Sequence, residues 1–173
     1  MQVEGLRLVP EPPPRVRVFP NADLHCTLSF LGSVTEADAR SAWSCVPDLV
    51  RSEAVAGSFD EVRPLGNPRK PSALSAMVGE GREPLSAMIA RARTALLEAA
   101  GAPPDDRPPL PHMTLARIQR RASSGERKAA VRWAQSLELG DTSFLASSVA
   151  LYTWADDRRE RLFQIVEQRA LGS

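Results

Sequence analysis

The chain has 173 residues, of which 43% are hydrophobic and 25% charged, and its formal net charge is +1. That size fits one domain, or one domain of two similar halves, and the near-neutral balance excludes an overall field as the basis of polyanion binding. Two cysteines, Cys26 and Cys45, make neither a disulfide framework nor a Cys-x-x-Cys metal knuckle. No apolar run approaches the roughly 18 residues of a membrane span, and the first residues lack a basic-then-apolar signal pattern. The expectation is a cytoplasmic protein with reduced thiols and no membrane partner.

Residues 1–20 are dense in proline. Leu6, Leu8 and Val9 suggest a first strand stopped at Pro10, and Val16, Val18 and Phe19 a short edge strand ending at Pro20. After the turn residues Asn21, Ala22 and Asp23, the sequence alternates strictly over 24–30, as a half-buried strand does. Leu24, Cys26, Leu28 and Phe30 then share one face, and His25, Thr27 and Ser29 share the other. Cys26 thereby reads as a small core residue and not a nucleophile.

Thr35 and Asp38 form a capping-box pattern that predicts a helix to about Val46, broken at Pro47 and resuming to Arg51. Strands are expected over 59–65 and 72–78. A helix follows over 83–101, with Leu85, Met88, Ile89, Ala92, Leu96 and Ala99 on its apolar face. A proline-rich loop over 102–111 leads to a second strand from His112 to Ile118. Ser123 and Glu126 cap a helix expected to reach Leu139, and segments 144–154 and 162–171 read as a closing hairpin.

Two stretches stand out in this order. The protein has two histidines, and both open a His-x-Thr-Leu run: His25-Cys26-Thr27-Leu28 and His112-Met113-Thr114-Leu115. By residue frequencies alone the coincidence is roughly one in tens of thousands. Thr35 lies 10 residues after His25 and Ser123 lies 11 after His112, so each half repeats a turn, a His-x-Thr-Leu strand and a capped helix. Two imidazoles facing each other across a cleft suit acid–base chemistry, one neutral and one protonated near neutral pH. In-line displacement at phosphorus needs those functions on opposite sides of the reacting atom, and the threonine hydroxyls can donate to its non-bridging oxygens. A zinc site is disfavoured because two histidines fall short of the usual three or four protein ligands. No Gly-x-Ser-x-Gly elbow or glycine-rich phosphate loop is present.

The run from His25 to Gly32 and the run from Asp106 to Arg117 resemble the two signatures of the two-histidine phosphoesterase superfamily. Within it the sequence is most similar to the RNA 2′,3′-cyclic phosphodiesterases, also called 2′-5′ RNA ligases, with the HxTx motif. The resemblance covers about residues 15 to 171. It implies an α+β, bilobal fold: two pseudo-symmetric lobes of antiparallel sheet with outer helices around a central cleft, in a single domain over 1–173. It further implies His25 and His112 as the catalytic pair, with His112 as base and His25 as acid. Thr27, Thr114 and Arg117 would bind the phosphate, without metal or other cofactor.

By strict alternation Arg117 faces away from His112, so the resemblance requires a bulge or a strand end there. The family also begins with an apolar strand and a helix. Ahead of His25 only Leu6 to Val9 offer the strand, unless the start lies further upstream. The implied activity opens a 2′,3′-cyclic phosphate on RNA to a 2′-phosphomonoester, in RNA processing, with 2′-5′ ligation as a companion activity. Alternatives are a cyclic phosphate on a small nucleotide or on ADP-ribose, and a non-enzymatic RNA-end-binding module. A self-contained two-lobed site is expected to work as a monomer. Arg15, Arg17, Arg63, Arg69, Lys70, Arg120 and Arg121 are candidate rim charges, and Tyr152 and Trp154 are candidates to stack a base or to pack in the core.

Overall fold

Both capping boxes form. The Thr35 hydroxyl accepts the backbone N–H of Asp38, and the Asp38 carboxylate accepts that of Thr35; Ser123 and Glu126 do the same. Each such cap contributes about 1 kcal/mol to its helix. The computed structural model describes residues 1–8, 10–50 and 53–172. Its elements are β1 (Gln2–Glu4), β2 (Val16–Val18), α1 (Glu36–Leu49), β3 (Val55–Asn67), β4 (Lys70–Val78), α2 (Arg82–Ala99), β5 (His112–Ile118), α3 (Ser124–Gln135), β6 (Ser143–Ala146), β7 (Ser148–Trp154) and β8 (Phe163–Ala170).

Among the described residues the strands pair only antiparallel, in one curled six-stranded sheet of order β1-β6-β3-β4-β5-β2 and a separate β7–β8 hairpin. Helix α1 packs on α2, and α3 lies on β3 and β4. The core runs between sheet and helices through Leu74, Val78, Ile89, Met113, Leu115 and Trp133. The tight passage from β4 into α2 depends on Gly81, whose φ is +81° and whose added Cβ would lie 2.7 Å from the Ala56 carbonyl oxygen.

Several local expectations give way to tertiary packing. The expected strand over 24–30 is reduced to one antiparallel bridge, Cys26 to Met113. The reason is space along β5: β2 takes its edge at 116–118, Phe19 N–H takes the Leu115 carbonyl, and Pro111 ends the strand. The apolar face accordingly stops short, and Phe30 is 79% exposed.

The proposed strand Leu6 to Val9 does not form over Leu6–Leu8, and Val9 lies outside the described residues; β1 pairs with β6 instead. Helix α1 runs through Pro47 to Leu49, because buried Val46 and Val50 anchor its last turn on both sides of the missing N–H. The resumption to Arg51 falls outside the described residues. Helix α3 ends at Gln135, and the apolar signal beyond it belongs to Leu137 and Leu139, buried in a loop. The segment 144–154 is split into β6 and β7 at Ser147.

Candidate active site

Strand β5 is the floor of the site. It pairs with β4 on one side, where Ser75 lies opposite Thr114 and Met77 opposite His112. On its other side the register of the Cys26–Met113 bridge sets Thr27 across from His112 and His25 across from Thr114. Cys26 and Met113 point into the core, so the two histidines and two threonines share the opposite, open face. Across an antiparallel pair, such diagonal positions as His25 and His112 have Cα atoms about 7–8 Å apart. Burial pushes the Cys26 thiol up to about 11, consistent with a packing role.

The two imidazoles are held in the same way. His25 Nδ1–H donates to the Asp23 carbonyl at 2.7 Å, and His112 Nδ1–H donates to the Leu110 carbonyl at 2.6 Å. A carbonyl oxygen can only accept, so each Nδ1 carries the hydrogen and each Nε2 is left for the open face. His25 is further enclosed by the hairpin: Tyr152 stacks on it at 5.1 Å and Phe163 meets it edge-on at 5.2 Å. Burial pushes the His25 pKa below its ordinary value, against the Asp23 hydrogen bond and charge, which push it up.

Thr114 is backed by Ser75, their hydroxyls 3.2 Å apart, and Ser75 is fully buried. Thr27 is exposed. The bulge that Arg117 requires is present in β5. Ala116 pairs with Leu74 and Thr114 with Ser75, so Leu115 is the extra residue. Leu115 and Ala116 are both buried and Arg117 is exposed, which moves Arg117 onto the face of His112 and Thr114.

Arg17 lies directly across from Arg117. Its guanidinium donates to the carbonyls of Arg158 and Arg159 in the β7–β8 turn. Arg158 in turn covers the Trp154 ring at 4.7 Å. The structure places Tyr152 at His25 and leaves Trp154 52% exposed, stacked on Phe163. Two rim candidates are already paired, Arg63 with Glu61 and Arg15 with Glu126. Arg107 in the second signature grips Asp105 with two nitrogens, holding that carboxyl well below the usual carboxylate range.

Ser75, Phe163 and the side chain of Asp23 carry no signal as site residues in the sequence, since their contacts come from strands and turns far along the chain. Among the described residues no three His, Cys, Asp or Glu side chains converge as a metal site would need, and no helix is long and apolar enough to cross a membrane.

No protein-family model matches the sequence, and no curated protein matches it. Solved structures do match. LigT of E. coli complexed with 3′-AMP has a TM-score of 0.68 at 19% identity, over 94% of this chain and 85% of LigT. LigT complexed with NADP+ gives 0.66 at 20% identity, over 94% and 84%. TT0787 of Thermus thermophilus gives 0.64 at 19% identity, over 92% and 84%. With two fixed imidazoles on the open face of a curled antiparallel sheet, the chain has the fold of the two-histidine phosphoesterases.

Proposed function

We propose that the protein is a metal-independent RNA 2′,3′-cyclic phosphodiesterase acting through His25 and His112. The observation that carries the proposal is the matched tautomer: each Nδ1–H is tied to a carbonyl two residues back, so both Nε2 atoms serve the cleft. His112 Nε2 takes a proton from water as its oxygen attacks phosphorus. The bond from phosphorus to O3′ breaks, and Nε2–H of a protonated His25 delivers its proton to O3′. A 2′-phosphomonoester and a free 3′-hydroxyl result. Thr27, Thr114 and Arg117 donate to the non-bridging oxygens, whose charge grows in the transition state. The nucleotides in the LigT complexes, 3′-AMP and NADP+, support a ligand of this class.

The test is turnover of an oligonucleotide ending in a 2′,3′-cyclic phosphate, with EDTA present, beside a cyclic mononucleotide and an ADP-ribose cyclic phosphate. The expected product is the 2′-phosphomonoester, with the oligonucleotide preferred. Abolition by EDTA would sink the metal-free route, and binding of all three without product would make the protein a binding module.

A further inference from the structure

We infer that Asp23 is a positioning residue for His25: its buried carboxylate seats the β7–β8 hairpin against the ring, and its carbonyl fixes the ring nitrogen. The inference rests on the acid–base reading of His25. Asp23 ends the 3-10 turn Asn21–Asp23 and is 0% exposed. A buried carboxylate is costly unless its oxygens are hydrogen-bonded. Here Oδ2 accepts the Leu162 N–H at 2.7 Å and Oδ1 the Phe163 N–H at 3.2 Å, across 139 and 140 residues of chain. The second of these amides begins β8, whose Phe163 ring stands edge-on to His25, and the first lies one residue ahead of it. One residue thus holds the imidazole twice, directly at Nδ1 and through the hairpin that covers it.

Among the described residues His112 has no such device. Leu110 supplies the equivalent carbonyl and brings no charge. The titratable groups that act on His25 are Asp23 in its own turn, His112 on β5 and the amino group of Met1; Tyr152 on β7 stacks on the ring. Burial, the Met1 amino group and His112 all push the ring towards the neutral form, and Asp23 alone opposes them. Tyr152 is itself pushed up, by burial first and by Asp23 second. The Asp23 carbonyl first, and its carboxylate second, therefore keep an enclosed imidazole able to hold a proton.

Because the protein has two histidines, NMR titration reads them separately, without substrate. In Asp23→Asn the His25 midpoint should fall, and the limb of the pH–rate profile that belongs to His25 should move to lower pH. An unchanged His25 midpoint in a folded Asp23→Asn protein would overturn the inference. If that variant does not fold, hydrogen exchange on the native protein decides. The Leu162 amide should be protected along with the β5 amides, and exchange at the free-chain rate would overturn the seat. These readings stand whatever the substrate proves to be. A dead His25→Ala enzyme with an unmoved Asp23→Asn titration would sink the role of Asp23 and leave the proposed function standing.

Discussion

The two halves of the site reach the same imidazole geometry by different supports. His112 opens β5, which is paired to β4 along one edge and to β2 along the other, and its threonine partner rests on a buried serine. His25 touches that sheet at one bridge, and its surroundings come from a turn and a hairpin far away in the chain. At the ring itself both halves use an Nδ1–H bond to the carbonyl two residues back. The geometry at the ring nitrogen is thus the same although the architecture that carries it differs.

The largest test of that equivalence is removal of either ring. On the cyclic-phosphate oligonucleotide, His25→Ala and His112→Ala should each lower kcat by about 100- to 10,000-fold, the usual worth of a positioned acid or base. A full-rate variant at one position would leave the halves unequal in chemistry as well as in support. Arg117→Gln should cost less, about 10- to 100-fold in kcat/KM, for one charge-assisted hydrogen bond lost. Equal turnover with and without Arg117 would mean that the bulge at Leu115 serves packing alone.

The threonines sharpen the contrast. Thr27→Val and Thr114→Val should lower kcat/KM to a similar extent, and their stabilities should differ. Thr114→Val strands the buried Ser75 hydroxyl and should cost about 1–3 kcal/mol in denaturant unfolding. Thr27→Val, at an exposed site, should stay within about 0.5 kcal/mol.

The smallest effect is in pH. The folded pKa of His25 lies below its ordinary 6.5, so just under that value the unfolded chain binds more protons. His25 therefore adds stability that is fully present above about pH 6.5 and is lost as pH falls through that window to the folded value. Tyr152→Ala should open the ring to water and raise the His25 midpoint, the opposite of Asp23→Asn. A fall in Tyr152→Ala would show that burial is not the leading cause.

Local chemistry made much of this legible in the sequence. The caps at Thr35 and Ser123 act over three residues, and the His-x-Thr-Leu spacing states which side chains share a face. Even the bulge was partly readable, since parity demanded one if Arg117 was to join His112. Contacts over long loops were not. Nothing near Asp23 announces its bonds to Leu162 and Phe163, and nothing near Ser75 announces Thr114. The strand over 24–30 failed for a related reason: alternation describes a segment, and pairing depends on how much edge its partner has left. At Pro47 the local rule lost to the burial of Val46 and Val50.

The paired carbonyl bonds also have a consequence for the cycle as a whole. With each Nδ1 committed to the backbone, Nε2 is the only place where either ring gains or loses a hydrogen during turnover. In the proposed reaction His25 ends bare and His112 ends charged, the mirror image of the starting arrangement. Two exchanges with solvent are needed before the next forward event, one at each ring. Until they occur, the spent pair is armed for the reverse direction, and labelled solvent oxygens in the product beyond the one that hydrolysis itself adds would count how often it runs backward.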